Sequence, residues 1–165
     1  YLSRLFPQRD LQVVKLAHRT QGLMLAPANP KGIRAVNDLM RNDIRFVNRN
    51  LGSGTRIWLD EQLREQNIPS KMINGYENTC TTHSAAAKEV KMGLADVCIG
   101  LQAAALQSEL DFIPLFEERF DLAIPKEHAA LATPLLDELQ TAAFRNTAQT
   151  LTGYNIAQSG VQILY

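Results

Sequence analysis

The feature that most narrows the fold of this chain is an alternation running from residue 44 to residue 108. Apolar segments at 44–48, near 71–75 and at 95–100 are each followed by a stretch with helical spacing, at 55–67, 82–92 and 101–108. Strands alternating with helices of this length predict βαβ units on a parallel sheet, because each helix carries the chain back to where the next strand must start. The run Ala95-Asp96-Val97-Cys98-Ile99-Gly100 is apolar at nearly every position and reads as a strand covered on both faces. The expected class is therefore α/β.

The flanks are less regular. Residues 11–16 and 22–26 read as two β-rich runs separated by the polar step His18-Arg19-Thr20-Gln21, which fits a cleft lining, a hinge or an ordinary exposed turn. Pro27, Asn29, Pro30 and Gly32 punctuate the chain before a short helix at 33–40. Segments 111–116 and 120–125 read as extended, and the chain closes with helices. One has Thr133 as N-cap and Pro134 at its first position, and a later one stops near Gly153. With 165 residues and 45% hydrophobic composition, the chain can bury a real core as one domain or two small lobes.

Charge excludes several function classes. The 17 basic and 17 acidic residues cancel, so neither a nucleic-acid footprint nor a polybasic membrane surface is expected. No apolar run approaches the roughly 18 residues of a membrane span, and Tyr1-Leu2-Ser3-Arg4-Leu5 does not make a signal peptide. The chain does not begin with Met and opens like mid-domain sequence, which predicts a piece of a longer protein. Cys80 and Cys98 are expected to be reduced, packed thiols. Cys80 and His83 have a C-x-x-H spacing but no second ligand pair, so neither a metal nor a cofactor is expected.

The chemistry concentrates in Phe46-Val47-Asn48-Arg49-Asn50-Leu51-Gly52-Ser53-Gly54-Thr55-Arg56, where an apolar strand breaks into a small-residue turn and opens a helix. A helix start has unpaired N–H groups and partial positive charge, which Ser53 or Thr55 can cap and an anion can use. The P-loop register fails because Arg56 stands where Lys is needed, and the dinucleotide register fails at Ile57. Two readings stay open: a plain strand-to-helix turn, and an anion site assisted by Asn48, Arg49, Asn50 and Arg56 at the carboxyl end of a parallel strand. A second polar turn, Glu77-Asn78-Thr79-Cys80-Thr81-Thr82-His83-Ser84, also opens a helix, with Thr82 as cap and His83 either a donor or a cap neighbour. Two such helix starts facing one cleft would give an anion several neutral donors. Asp60 and Glu61 read as a solvated face, and Trp58, Leu59 and Leu63 as core contacts. No Gly-x-Ser-x-Gly elbow, His-Glu-x-x-His or spaced carboxylate pair appears, so no enzyme is expected.

Several motifs in order resemble one family. They are the series Arg19-Thr20-Gln21-Gly22-Leu23-Met24-Leu25-Ala26-Pro27-Ala28-Asn29-Pro30-Lys31-Gly32-Ile33, the Gly-Ser-Gly-Thr turn, Gly75-Tyr76-Glu77, Thr82-His83, Gly93 to Gly100, Leu110-Asp111-Phe112-Ile113-Pro114-Leu115 and Glu118-Arg119-Phe120-Asp121-Leu122. Together they resemble the periplasmic-binding-protein-like domain of bacterial and archaeal cytoplasm, commonly fused to a helix-turn-helix regulator or a molybdopterin-biosynthesis protein. The resemblance implies a type II fold of two lobes joined by crossover strands, with ligand in the cleft and hinge closure around it. It implies 46–110 as the second lobe and 1–45 with 111–165 as a first lobe that is incomplete in this chain. An incomplete lobe exposes apolar surface, so a homo-oligomer is expected.

The implied function is non-catalytic sensing of a small oxyanion, molybdate or tungstate, passed to a fused or partner output module without direct nucleic-acid contact by this domain. An organic anion such as a molybdopterin-related molecule is the alternative. The implied ligand set is Asn48, Arg49, Ser53, Gly54, Thr55, Arg56, Thr82 and His83. Two departures stand out: Leu51 precedes Gly52 where the family often has Arg, and Gln102 replaces a more usual Glu.

Overall fold

A computed structural model describes residues 10–163, so the expectation for Tyr1-Leu2-Ser3-Arg4-Leu5 lies outside the described residues. The chain divides into two compact units, Thr20–Phe116 and Tyr1–Arg19 with Glu117–Tyr165. Each is taken by itself.

The unit Thr20–Phe116 is built on a mixed sheet. Its strands are part of β1 (Leu11–Leu25), β2 (Phe46–Arg49), β3 (Thr79–Cys80), β4 (Val97–Leu101) and part of β5 (Asp111–Pro125), in the order β3-β2-β4-β1-β5. β2 runs parallel to β3 and to β4, while β1 is antiparallel to β4 with Gln21 opposite Leu101 and Gly22 opposite Gly100. Its helices are α1 (Gly54–Glu65), α2 (His83–Lys91) and α3 (Gln102–Gln107).

Residue alternation along the strands separates two cores. Leu23, Leu25, Phe46, Val97 and Ile99 pack with Leu59 and Leu63 of α1 and with Ile33, Val36 and Leu39. Met24, Val47 and Cys98 face the other way and pack with Ala86, Ala87 and Val90 of α2 and Ala104 and Ala105 of α3. Every residue of β4 is buried because helices cover both faces of the sheet. The small alanines of α2 and α3 let those helices approach closely.

Several sequence expectations shift. The step His18-Arg19-Thr20-Gln21 is not a turn: it lies inside β1, one strand of 15 residues. Segments 111–116 and 120–125 likewise form the single 15-residue strand β5. The strand expected near 71–75 is absent; a 3-10 turn occupies Ser70–Met72 and the strand forms later, at Thr79–Cys80. Gly75 explains the delay, since its φ of 91° breaks the extended run and an added Cβ would lie 2.0 Å from the Phe46 carbonyl oxygen. The helix expected at 33–40 is a 3-10 helix, Val36–Met40. Within the unit Thr20–Phe116, Ile33, Val36 and Leu39 join the core of Phe46, Leu59 and Val97.

The other unit contains the first part of β1, to which β6 (Tyr154–Asn155) and β7 (Gln162–Ile163) pair antiparallel, together with α4 (Ala129–Glu138) and α5 (Ala142–Ala148). Thr133 does not cap a helix: α4 starts at Ala129, Pro134 sits inside it, and the Thr133 hydroxyl donates to the Ala129 carbonyl at 3.4 Å. Arg19 of β1 is ion-paired with Glu118 of β5 and stacks over the Phe120 ring. No helix among the described residues is long and apolar enough to cross a membrane.

The start of the parallel pair β2–β4 is fixed by one carboxylate. Asp96 accepts from the Arg45 backbone N–H at 2.8 Å and from its guanidinium at 2.8 and 3.2 Å, while Asp96 N–H donates to the Arg45 carbonyl at 2.7 Å. The guanidinium bond holds the Asp96 carboxyl below its usual range, against the opposing effect of burial. A lowered folded-state pKa contributes stability above the unfolded value, about 3.9, and loses it as pH falls through the folded value. Urea unfolding of Asp96→Asn should therefore show a loss of stability relative to the unsubstituted protein at pH 7. That difference should shrink as the pH is taken below about 4.

Candidate functional site

Because β2 and β3 run parallel, their following turns open at the same end of the sheet. Arg49 and Cys80 are register partners there, and the Asn50 N–H donates to the Cys80 carbonyl at 3.1 Å. After β2 the chain makes a tight turn closed by the Ser53 N–H to the Asn50 carbonyl at 3.2 Å, with Gly52 at φ 83° in its third position. That value suits a type II turn and favours glycine there, so Gly52 serves the turn itself. Leu51, next to it, is 78% exposed.

Ser53 then caps α1. Its hydroxyl oxygen accepts the Arg56 N–H at 3.2 Å, and its carbonyl accepts from Ile57 at 3.0 Å. The N–H groups of Gly54 and Thr55 are left unclaimed by the helix. Thr82 caps α2 in the same way, its hydroxyl oxygen accepting the Ala85 N–H at 3.0 Å and its carbonyl the Ala86 N–H at 3.2 Å. The N–H groups of His83 and Ser84 stand in the corresponding places. A hydroxyl that accepts a cap bond keeps its proton to donate, so Ser53 and Thr82 are outward donors at two helix starts. His83 lies beside β4: a Cβ added at Gly100 would be 3.0 Å from its Nδ1.

The charged members of the predicted set are placed differently. Arg56 is 4% exposed, donates from Nε to Asp60 at 3.0 Å, reaches the Arg49 carbonyl at 3.5 Å and stacks over the Tyr76 ring at 4.0 Å. Tyr76 also donates its hydroxyl to Asp60, and burial, followed by that bond, raises its pKa. Asp60 is thus the anchor of a buried arginine and not merely part of a solvated face, whereas Glu61 pairs with Arg64 at the surface. Arg49 donates to the Cys80 carbonyl at 3.2 Å and the Thr81 carbonyl at 2.9 Å, tying the two turns together. Asn48, 2% exposed, spans from the Tyr76 carbonyl to the Arg49 N–H.

Thr55 brings in a residue that the sequence leaves among several readings. Its hydroxyl donates to Oε1 of Gln21 at 2.7 Å, and Gln21 is only 1% exposed. The signal available was a polar residue within an apolar strand, but strand spacing cannot say what such a residue meets.

Cys98 is fully buried and Cys80 half-buried; both are free thiols, and burial raises the pKa of each. Among the described residues no cluster of three or more His, Cys, Asp or Glu is arranged to hold a metal. Two depressions of about 380 Å3 each flank the 74–78 turn, and neither is lined by Ser53, Thr55, Thr82 or His83. Removing the Asp60 carboxylate should leave Arg56 buried against Tyr76 without its ion pair. Because Asp60 is itself 41% exposed, Asp60→Ala should cost only about 1–2 kcal/mol in a urea titration.

Comparison with known proteins gives this architecture a family. The model of the PBP superfamily domain matches residues 1–140. The uncharacterized protein YvgK of Bacillus subtilis is 35% identical over 164 residues, which are 99% of this chain and 53% of that protein. The chain thus spans about half the length of that curated relative. Among solved structures, L-phospholactate-bound PEB3, a protein of Campylobacter jejuni, aligns with a TM-score of 0.64 at 18% identity, covering 87% of this chain and 68% of that one. The substrate-binding domain of a putative molybdenum ABC transporter from Clostridium difficile aligns with a TM-score of 0.59 at 12% identity, covering 92% and 71%. The ancestral amino acid-binding protein AncCDT-1 aligns at 0.58 and 16%, covering 87% and 61%. At these identities the structures show a common fold, the type II binding-protein fold. The chain belongs to the PBP superfamily, a family of ligand-binding domains.

Proposed function

We propose that this domain is a non-catalytic sensor for a small oxyanion of the molybdate or tungstate type, held at the end of the sheet where α1 and α2 begin. The observation that carries this reading is the pair of capped helix starts. Ser53 and Thr82 each accept a backbone bond and keep a hydroxyl proton, beside the unclaimed N–H groups of Gly54, Thr55, His83 and Ser84. Such donors are neutral, so they solvate an anion without the desolvation cost of burying a lone cation beside it. Arg49 and Arg56 contribute their field from within the scaffold. The described fold neighbour from a molybdenum transporter supports the oxyanion class. In this proposal the domain works in the cytoplasm and hands occupancy to a fused or partner output module, a helix-turn-helix or molybdopterin-biosynthesis unit.

A second reading, an organic anion bearing a phosphate or carboxylate, is favoured by one specific observation. Leu51 stands 78% exposed on the turn that leads to Ser53, where an apolar ligand body could rest against it. PEB3, solved with L-phospholactate, supports the same class.

Calorimetric titration of the purified protein with molybdate, tungstate, sulfate and phospholactate should give saturable heat for at least one of them. No heat at millimolar concentration for any would sink both readings. A stronger signal for phospholactate than for the inorganic ions would select the second. Ser53→Asp keeps an excellent helix cap but sets a carboxylate where the anion would lie, so it should retain the unfolding midpoint and reduce affinity by a hundredfold or more, about 3 kcal/mol.

A further inference from the structure

Gln21 is a nearly fully buried polar side chain on a strand whose neighbours Leu23 and Leu25 are pure core. Burying an amide this deeply is costly unless both its ends are satisfied. Only one end is satisfied by the protein: Oε1 accepts the Thr55 hydroxyl at 2.7 Å, whereas among the described residues Nε2 meets no acceptor. The side chain is closed in on all sides but for the 1% of exposure it retains. The register places this group at the same end of the sheet as the two helix starts. Gln21 faces Leu101, the last residue of β4, and Thr55 lies in the first turn of α1.

We infer that Gln21 is a further ligand-contacting residue whose Nε2 donates to the bound anion. This rests on the anion reading above and adds a donor to it. The Thr55 bond is what aims the amide. By accepting the Thr55 hydroxyl's hydrogen bond, Oε1 is held toward the helix, and the two N–H donors point away from it. Thr55 then acts through Gln21 with its side chain and only through its own N–H on the ligand directly. A primary amide here adds a neutral, fixed donor, which suits an acceptor-only anion and disfavours a ligand that must itself donate at this point.

The test is an NMR titration of the uniformly 15N-labelled protein with molybdate, tungstate, sulfate and phospholactate. The Gln21 side-chain amide signals are assigned by their loss in Gln21→Met or through backbone correlations. The expected result is that these signals move with the same saturation curve as the Gly54 and Thr55 backbone amides. Gln21→Met should weaken binding about tenfold or more, and Thr55→Val, which removes the aiming bond but leaves the donor, should weaken it by a smaller factor. If Gly54 and Thr55 respond while the Gln21 amide stays still, or if Gln21→Met binds as tightly as the unsubstituted protein, Gln21 is only an anchor for α1 and the inference is overturned. If no backbone amide near Ser53 or Thr82 responds to any ion, the anion reading itself fails, and this inference with it.

Discussion

The parallel pairing of β2 with both β3 and β4 is the constraint on which the rest of the Thr20–Phe116 unit depends. Parallel strands must be re-entered from the same end, so each is followed by a segment that turns back across a face of the sheet. With α1 on one face and α2 and α3 on the other, both faces are sealed by apolar side chains, Leu59 and Leu63 on one and small alanines on the other. The polar backbone at the helix starts can be accommodated only at the rim. Ser53 and Thr82 therefore open at one end by topology before any question of ligand arises. What the sequence adds is their chemistry: capping hydroxyls, a turn that needs glycine at position 52, and a threonine in the first turn that reaches across to β1.

Charge is used in an instructive way. Arginines beside a helix start are naturally read as anion ligands, yet Arg56 is folded against Tyr76 and Asp60, and Arg49 is spent on the carbonyls of Cys80 and Thr81. Guanidinium groups suit this work because their forked donors can satisfy two carbonyls at once while the flat face rests on an aromatic ring. The carbonyls that follow a short strand such as β3 have few partners in the sheet itself. Arg49 supplies them, so the two turns share a brace. An ion pair that is one-sided in burial, with Arg56 at 5% and Asp60 at 41% side-chain exposure, also keeps the cost of desolvating the carboxylate small.

The sequence was most legible where periodicity and composition agreed. The alternation over 44–108 announced the βαβ units, and Ser53 and Thr82 were readable as caps because hydroxyl residues directly preceded helical runs. It was least legible where side chains decide matters sideways. His18 to Gln21 looks like a break because four polar residues follow one another, but Arg19 is ion-paired with Glu118 and covered by the Phe120 ring, and Gln21 accepts the Thr55 hydroxyl, so the strand continues. Those partners lie 99 and 34 residues away and leave no local trace. The delayed strand β3 has the opposite cause. Residues 71–75 have the apolar character of a strand, but the backbone at Gly75 turns out of the extended region to fit against Phe46. Around α4, the Thr-Pro pair mimicked a helix start. The actual start was marked by Pro125 before the 3-10 turn Lys126–His128, a weaker signal because no capping hydroxyl accompanies it.

A donor set made of capped helix starts has a consequence for selectivity that cationic sites do not share. Lys or Arg in direct contact attracts any anion and gains more from higher charge, whereas fixed hydroxyl and N–H donors reward geometry, because each must meet an acceptor oxygen at hydrogen-bond length. Here the scaffold cations stand behind the donors, bonded to backbone carbonyls and to Asp60, so they bias the potential without choosing the shape. In the proposed site, shape is left to Ser53, Thr82 and the N–H groups beside them, the two hydroxyls being fixed by their cap bonds. Leu51 is a large, exposed apolar group on the turn before Ser53, and in the proposed site it is the point at which a bare oxyanion and an anion carrying an organic body part company. A bare ion gains nothing from Leu51, while a ligand that covers it removes apolar surface from water at about 25 cal/mol per Å2. On the proposed reading, the choice between the two ligand classes turns on how much of Leu51 a ligand covers, and the choice among ions of one class on how their oxygens fit the donors at Ser53 and Thr82.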